Sequence, residues 1–344
     1  MIRQAILRGP RTLDLAEVPP PAPGPGEVVV RVRAALTCGT DLKTFRRGHP
    51  RLPFGPFGHE AAGDVETVGA GVRHVAPGQA VVFTPTAPCG ACAACGRGRE
   101  NLCAHLFDAI ALGAYADAIR LPARVAARHL FPKPDGLDYA EAACLEPLAC
   151  VVHGWRRLGA TRGAVAVVGL GPIGLLFVQL AAGQGLEVVA VGRRPEGLAR
   201  ARACGAAHTV DAAAVADVGA ALRALGRPDG PEAVIEATGA QVVWEAAPGW
   251  AAPGGRVLLF GGLAGGSRPA FDAARLHYSE VDLISAFHYT TADVHEALGL
   301  LAARAIRPGL LIAGARPLSR VREIFDDLDR GAGVKYAVIP DGAP

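Results

Sequence analysis

The sequence predicts an α/β protein with two domains, a β-rich domain followed by a domain built on a parallel sheet. A chain of 344 residues is long for a single hydrophobic core, so two domains are the natural expectation. Short β-branched runs separated by proline and glycine occupy the first 150 residues. Near the middle of the chain, an apolar run precedes three closely spaced glycines and a row of good helix formers, which indicates strand, turn and helix.

Three runs predict strands in the N-terminal part: residues 27–33, 63–68 and 79–83. Each alternates in polarity or is rich in β-branched residues, and turns containing proline or glycine separate them. Such a succession of short strands is typical of a β-barrel. Near the other end, residues 324–330 predict an amphipathic helix and residues 335–339 a final strand.

The central glycines have the spacing G-x-G-x-x-G, at Gly169, Gly171 and Gly174. In this pattern the first glycine allows the turn, the second lets the backbone approach a pyrophosphate, and the third lets the helix pack closely against the strand. Phosphate charge then meets the N-terminus of the helix. Residues 187–191 predict the next strand and complete the strand-helix-strand unit that the motif requires. The segment therefore predicts a dinucleotide site in a doubly wound parallel sheet.

The end of that second strand predicts which dinucleotide binds. An NAD site has an Asp or Glu about twenty residues after the first glycine, where it binds the ribose hydroxyls. Here the position holds Gly192, Arg193 and Arg194. Two guanidinium groups can bind a 2′-phosphate, so the sequence favours NADP over NAD. The alternative is that both arginines only solvate the end of the strand.

Charge and hydropathy argue against several other classes of protein. The net charge is only +3 and the charged residues are well mixed, so we expect no nucleic-acid partner. Residues 163–183 are apolar enough to resemble a membrane span, but the glycines and Pro172 fit a nucleotide turn better, so we expect no membrane partner. The first residues lack an apolar signal core, and we therefore expect a cytoplasmic protein.

Four cysteines form the strongest spacing pattern in the sequence. They are Cys89, Cys92, Cys95 and Cys103, at steps of three, three and eight residues. Four thiolates that converge in one loop form the closed tetrahedral shell that a structural zinc ion prefers. Two disulfides fit a chain without a secretory signal poorly, and an iron–sulfur cluster is a third possibility.

A second set of candidate ligands is spread along the chain. Cys38 precedes Gly-Thr-Asp, His59 and Glu60 are adjacent, and Glu146 lies just before the nucleotide motif. A thiolate, an imidazole and one or two carboxylates make an incomplete shell, which leaves room for water or a substrate oxygen. Taken alone, a single Cys or His is usually part of the core, and Glu146 could be a carboxylate at the start of a helix.

Together, these motifs resemble the zinc-dependent medium-chain alcohol dehydrogenases. Cys-Gly-Thr-Asp, Gly-His-Glu, the cysteine quartet, Glu-Pro and Gly-Leu-Gly-Pro-Ile-Gly occur in that family's order and approximate spacing. Glu146 replaces the Cys of liver-type enzymes, which makes the chain most similar to the sorbitol and threonine dehydrogenase branch. The resemblance covers nearly the whole chain. It implies a GroES-like catalytic domain with both zinc sites at residues 1–150, a Rossmann domain at 151–290, and a segment at 291–344 that completes the catalytic domain.

The resemblance also implies roles for individual residues. Cys38, His59 and Glu60 would bind the catalytic zinc, and Glu146 would be a fourth ligand or hold the zinc-bound water. Thr40 would accept the substrate proton, while zinc favours the alkoxide that releases hydride to the nicotinamide. The residues implied for the cofactor are Gly169, Gly171, Pro172, Ile173, Gly174, Arg193, Arg194 and Thr238. The family's relatives are dimers or tetramers, often through an edge strand of the cofactor domain, here residues 283–287.

Substrate and proton relay are where the sequence departs from the family pattern. Many members have a relay His at the position of Lys43, so Lys43 is either a replacement or a solvated charge, and His49 is another candidate. Phe-His-Tyr at 287–289 matches Phe-Arg-Tyr of sorbitol dehydrogenases and favours a polyol, an amino sugar or another secondary alcohol. The alternatives are threonine oxidation with NAD, a zinc-independent reductase, and a nucleotide-binding relative without turnover.

Overall fold

The computed structural model describes residues 1–49, 51–52, 54–159, 161–331 and 334–342. The chain divides into two compact units. The first unit comprises Met1–Ala149, Tyr289–Arg304 and Leu311–Pro344. The second unit comprises Cys150–His288 and Ala305–Leu310. Within the described ranges, no helix is both long and apolar enough to cross a membrane.

Strands and helices are numbered here in chain order. The strands are β1 (Ile2–Gly9), β2 (Thr12–Val18), β3 (Val28–Leu36), β4 (Gly55–Pro56), β5 (Glu60–Val68), β6 (Ala80–Phe83), β7 (Ala118–Leu121), β8 (Leu130–Pro132), β9 (Ala164–Val168), β10 (Glu187–Gly192), β11 (His208–Asp211), β12 (Ala233–Glu236), β13 (Arg256–Leu259), β14 (Asp282–Ser285), β15 (Ala315–Pro317) and β16 (Ala337–Ile339). The helices are α1 (Gly39–Arg47), α2 (Ala93–Gly96), α3 (Ala123–His129), α4 (Tyr139–Ala142), α5 (Leu145–Leu158), α6 (Pro172–Gly183), α7 (Pro195–Ala203), α8 (Val218–Arg223), α9 (Gln241–Ala246), α10 (Ala273–Tyr278), α11 (Thr291–Ala302) and α12 (Val321–Asp329). Short 3₁₀ turns occupy Glu100–Leu102, Ala247–Gly249, Pro308–Leu310 and Leu318–Arg320.

Strand β3 organises the first unit. It pairs antiparallel with β5 along its length, with β7 near its beginning and with β16 near its end. At that end Leu36 lies between Glu60 on one side and Ala337 on the other. Residues from three distant parts of the sequence therefore meet where β3 ends. Strands β1, β2 and β4 form a separate small antiparallel sheet.

Aromatic side chains fill the core beside this meeting point. The ring of Phe325 on α12 lies 5.1–5.6 Å from the rings of Phe45, Phe57 and Tyr115. Helix α12 is amphipathic as the sequence predicts, because its buried residues recur every three or four positions at Val321, Ile324, Phe325 and Leu328. Strand β5 begins three residues before the predicted start, since its small residues are held there by pairing with β3 rather than by β-propensity.

The second unit confirms the predicted doubly wound sheet. Its strands are all parallel and lie in the order β11-β10-β9-β12-β13-β14. Counted from β9, this is the order 3-2-1-4-5-6 of dinucleotide-binding sheets, in which the chain reverses direction across the sheet between β9 and β12. Every residue of β9 is buried, as expected for a strand covered by helices on both faces.

Candidate active site and cofactor site

Cys38, His59 and Glu60 come together at the end of β3. Cys38 is the N-cap of α1, and its sulfur accepts a hydrogen bond from the backbone N–H of Thr40 at 3.4 Å. His59 directly precedes β5, and Glu60 is that strand's first residue. One potential ligand atom from each of the three residues lies within 4.8 Å of the other two. The antiparallel pairing of β3 with β5 is what brings these residues together across about twenty positions of sequence.

The imidazole of His59 is held in one orientation by a buried carboxylate. Its Nδ1 lies 2.9 Å from Oδ1 of Asp41, and the other carboxylate oxygen of Asp41 accepts a hydrogen bond from the hydroxyl of Tyr115 at 2.5 Å. With Nδ1 engaged, Nε2 is the ring nitrogen left for a ligand or a metal ion. The sequence motif contained Asp41 without assigning it this role, and Tyr115 was not singled out.

A buried lysine holds Glu60. Nζ of Lys335 lies 2.5 Å from Oε2 of Glu60 and donates to the backbone carbonyl of Thr37 at 2.8 Å. Both side chains of the ion pair are almost completely inaccessible to solvent. The second carboxylate oxygen, Oε1, is buried with no hydrogen-bond partner in the described structure. Sequence reasoning missed Lys335; its only signal was a charged residue at the start of an apolar strand.

The electrostatics of the cluster favour a bound cation. Burial, followed by the charge of Glu60, raises the pKa of the Cys38 thiol. Burial alone would lower the pKa of His59, but Asp41 and Cys38 outweigh it and hold that pKa well above its usual value. A divalent cation reverses both tendencies, because it stabilises a thiolate and a neutral imidazole. The donor set and the unpartnered Oε1 therefore fit zinc, which binds sulfur, nitrogen and carboxylate oxygen.

Glu146 lies in the first turn of α5 and is buried. Burial, with the nearby charge of Glu60, raises its pKa to about 7 despite the opposing effects of His59 and Lys335. Its carboxylate is near the cluster, but its oxygens do not lie within 4.8 Å of all three ligand atoms of Cys38, His59 and Glu60.

The two candidate relay residues lie on and just after α1. Thr40 and Lys43 are exposed and one turn apart on α1. His49 follows the helix, and burial, together with Arg51, lowers its pKa. Arg46, on the same helix, is paired with Asp329 of α12 at 2.5 Å and so has a structural role.

The sulfur atoms of Cys89, Cys92, Cys95 and Cys103 also converge. The measured separations are 4.0 Å for Cys89–Cys95, 3.6 Å for Cys92–Cys95 and 3.9 Å for Cys92–Cys103. A tetrahedron with zinc–sulfur bonds of 2.3 Å has edges of about 3.8 Å, so these distances fit a zinc ion. All four cysteines are free thiols, which argues against the disulfide alternative. Backbone N–H groups lower the pKa of Cys92 to about 6, whereas burial raises that of Cys95 to about 12.

Each glycine of the nucleotide motif has the geometry that its predicted role requires. Gly169 has φ +100°, a left-handed conformation that side chains disfavour. A Cβ on Gly171, the N-cap of α6, would meet nothing within 4 Å, so the backbone is open to an approaching phosphate. A Cβ on Gly174 would lie 1.8 Å from the carbonyl oxygen of Gly169, so only glycine allows helix and strand to pack this closely. Pro172 is the first residue of α6 and Ile173 the second.

The remaining predicted cofactor residues lie at the carboxyl ends of neighbouring strands. Arg193 and Arg194 follow β10 and are exposed, and Arg194 is the N-cap of α7. Thr238 follows β12, and its methyl group packs next to Gly169. Its backbone N–H donates to the buried carboxylate of Glu236 at 2.7 Å, which fixes the loop after β12. In parallel sheets of this type, dinucleotides bind at the carboxyl ends of the strands, where these residues lie.

The three residues 287–289 do not form one structural element. Phe287 and His288 belong to the second unit, and His288 has φ +61°. Tyr289 belongs to the first unit, where its buried hydroxyl lies 3.0 Å from that of Thr86. Tyr289 therefore contributes to a buried polar network, which the sequence did not predict.

Two family models match the chain. The model described as "Alcohol dehydrogenase GroES-like domain" matches residues 24–135, which confirms the expected GroES-like fold. The model described as "Zinc-binding dehydrogenase" matches residues 172–303.

Relatives match over nearly the full length of the chain. Sorbitol dehydrogenase of Homo sapiens is 32% identical over 339 residues, covering 96% of this chain and 93% of that protein. D-altritol 5-dehydrogenase of Agrobacterium fabrum is 32% identical over 322 residues, covering 90% of this chain and 91% of that protein. A solved zinc-binding dehydrogenase structure from Sinorhizobium meliloti 1021, bound to NADP, is 30% identical with a TM-score of 0.89 and covers 99% of both chains. The chain thus belongs to the zinc-dependent medium-chain alcohol dehydrogenase family, on its sorbitol dehydrogenase-like branch, and is an oxidoreductase.

Proposed function

We propose that the chain transfers a hydride between a secondary alcohol of the polyol, sugar or amino-sugar type and NADP, giving the ketone. The observation that carries this proposal is the Cys38–His59–Glu60 cluster. In it, the buried Oε1 of Glu60 has no hydrogen-bond partner in the described structure. Zinc-binding dehydrogenases of this family act on small-molecule alcohols, and two full-length relatives are polyol dehydrogenases by name.

Cys38, His59 and Glu60 would hold the catalytic zinc, with Glu146 as a fourth ligand or as the residue that holds the zinc-bound water. When bound, zinc supplies a Lewis acid that polarises a substrate oxygen. Asp41 holds His59 in the tautomer that leaves Nε2 available. Thr40 lies two residues after Cys38, and its hydroxyl would accept the substrate proton and pass it toward solvent. Burial of Glu60 and Lys335 keeps water away from that side of the cluster.

The NADP assignment rests on charge at the end of β10. Arg193 and Arg194 are exposed there and can form bidentate contacts with a 2′-phosphate. The N-terminus of α6 and the open face of Gly171 suit the pyrophosphate. The 30%-identical Sinorhizobium structure is bound to NADP, which supports the same choice for this chain.

Further parts of the proposal follow from the same structure. The four-cysteine cluster would hold a second, structural zinc, because its sulfur separations match a tetrahedral shell. The first unit would be the catalytic domain, predicted at residues 1–150 and 291–344, and the second the cofactor domain, predicted at 151–290, although Ala305–Leu310 packs with the second unit. Strand β14 is an edge strand of the parallel sheet, and a homodimer or homotetramer would form through it. The cytoplasmic location stays a prediction.

Initial rates of nicotinamide reduction test the proposal. Polyols, amino sugars, threonine and simple secondary alcohols are each assayed with NADP and with NAD, alongside a measurement of zinc content. We expect turnover of a polyol or sugar alcohol with NADP preferred, and two zinc ions per chain. The Cys38→Ser variant serves as the control for background activity. Turnover of threonine with NAD, or no turnover by protein that holds two zinc ions, would contradict the proposed substrate class.

A further inference from the structure

The hydroxyl of Tyr115 contacts Asp41, the side chain that orients His59, and the backbone at the end of β3. Its hydroxyl lies 2.5 Å from Oδ2 of Asp41 and 3.0 Å from the carbonyl oxygen of Leu36. A phenol has a single proton, which goes to the nearer and charged acceptor, the carboxylate. Asp41 in turn engages Nδ1 of His59 through its other oxygen, at 2.9 Å. Tyr115, Asp41 and His59 therefore form one continuous buried chain of hydrogen bonds.

The aromatic ring of Tyr115 constrains the same residue from a second direction. Gly58, the neighbour of His59, has φ +94°, and a Cβ there would lie 2.7 Å from the ring. The ring thus packs directly on the backbone that carries the histidine. Phe57 and Phe325 contact its other sides with ring centroids 5.6 Å away, so the phenol has little freedom to move.

We propose that Tyr115 is a positioning residue for the metal cluster, and that it acts on His59 through Asp41. This inference rests on the proposed zinc chemistry at Cys38, His59 and Glu60. An imidazole whose Nδ1 partner is fixed presents Nε2 in one direction, which lowers the cost of ordering the ligand when zinc binds. Without the phenolic proton, the carboxylate of Asp41 can rotate and the imidazole can rotate with it.

The Tyr115→Phe variant removes one oxygen atom and keeps the ring that packs on Gly58. Tyr139→Phe is the matched control, because the Tyr139 hydroxyl also donates to a carboxylate at 2.5 Å, that of Asp64, which does not touch the cluster. Zinc affinity is measured by competition with a chromogenic chelator. The Cys38→Ser protein identifies which of the two zinc equivalents belongs to the cluster.

We expect Tyr115→Phe to bind zinc at the cluster about tenfold more weakly, the lower end of the effect of losing an outer-shell partner, with the four-cysteine zinc unchanged. Tyr139→Phe should bind both ions like the wild type. A double-mutant cycle tests the route: in an Asp41→Ala background, Tyr115→Phe should cause no further loss. The single-variant comparison remains decisive if Asp41→Ala does not fold.

Equal zinc affinity at the cluster in wild type and Tyr115→Phe would overturn the inference and leave the proposed function intact. The same holds if the losses from Tyr115→Phe and Asp41→Ala simply add, because Tyr115 would then act independently of Asp41. A wild-type protein that binds zinc only at the four cysteines would instead overturn the proposed function, and the inference with it.

Discussion

Replacing Lys335 with Met should lower the free energy of unfolding of the first unit, and by more than replacing Lys133 with Met. Methionine keeps most of the aliphatic stem and removes the ammonium group. What remains is the carboxylate of Glu60, buried beside the carbonyl of Thr37, with the donor at 2.5 Å removed. The loss comes from an uncompensated buried charge, not from a cavity.

The magnitude follows from the burial of the pair. Lys335 and Glu60 are 1% and 0% exposed, so water cannot replace the missing partner. Removing one member of a buried ion pair costs about 3–5 kcal/mol. In a folding unit of about 200 residues, that loss lowers Tm by roughly 6–20 °C. Lys133, whose ammonium group donates to two backbone carbonyls and lies 5.3 Å from the centre of the Tyr139 ring, has no carboxylate partner in these contacts and is the matched control; Lys133→Met should cost less than about 1.5 kcal/mol.

The assay is thermal unfolding followed by circular dichroism, with all proteins kept free of metal by the same chelator, because bound metal itself raises Tm and Glu60 is a proposed ligand. The double variant Lys335→Met with Glu60→Gln removes the charge from both partners, and it should recover a large part of the lost Tm. The reasoning is refuted if Lys335→Met unfolds at the wild-type temperature. It is equally refuted if the double variant is no more stable than Lys335→Met, because the lost stability would then not come from an unpaired Glu60.

Three further predictions concern the other sites. Cys38→Ser should abolish turnover while the protein remains folded, whereas Cys95→Ser should cost more stability because a structural zinc contributes folding free energy. Arg193→Ala should raise KM for NADP roughly tenfold or more, the effect of losing a charged hydrogen bond, and leave KM for NAD unchanged. Burial lowers the pKa of His129 to about 4, so between pH 6.5 and pH 4 the unfolded state binds a proton that the folded state does not. Stability must therefore fall as pH falls through that window, by about 3 kcal/mol in total, and His129→Asn should remove this part of the pH dependence in denaturant unfolding.

Each of these predictions has its own control. The two cysteine variants control one another, and the opposite pattern of activity and stability would exchange the two zinc assignments. Arg202 lies in the last turn of α7, nine residues after Arg193, and its side chain bonds the Thr209 hydroxyl. Arg202→Ala should leave both Michaelis constants unchanged. Equal effects of Arg193→Ala on NADP and NAD would refute a 2′-phosphate contact. If wild type and His129→Asn lose stability in parallel on acidification, His129 is not the buried neutral group inferred here.

Local sequence signals predicted the parts of the fold that depend on neighbours in the chain. The three glycines were predicted from spacing within six residues, and the structure has a left-handed backbone at Gly169, open space at Gly171 and no room for a Cβ at Gly174. The doubly wound sheet follows from the strand-helix-strand period and is confirmed. Spacing also predicted the convergence of the four cysteines, since a loop of this length can bring its own residues together without help from the rest of the fold.

Contacts set by long-range pairing were not predictable in the same way. Lys335 is 275 positions from Glu60 in sequence and reaches it only because β16 pairs with the end of β3. Nothing in the sequence around Lys335 specifies that register. Tyr115 had no signal either, because a tyrosine in a β-rich segment is usually core, and its contact with Asp41 spans 74 positions. Long-range register decides both contacts, and the local sequence pattern around each residue does not reveal it.

The polar partners of His59 and Glu60 show why the cluster is more than three ligands. Each of the two residues uses one side-chain atom to bind a buried protein partner, Asp41 for the imidazole and Lys335 for the carboxylate, and leaves the other free for the site. These partners come from α1 and from the C-terminal end of the chain, so the site cannot form before β3 has paired with both β5 and β16. Metal affinity is then tied to folding of the whole first unit, and a variant that loosens β16 should weaken zinc binding without touching a ligand.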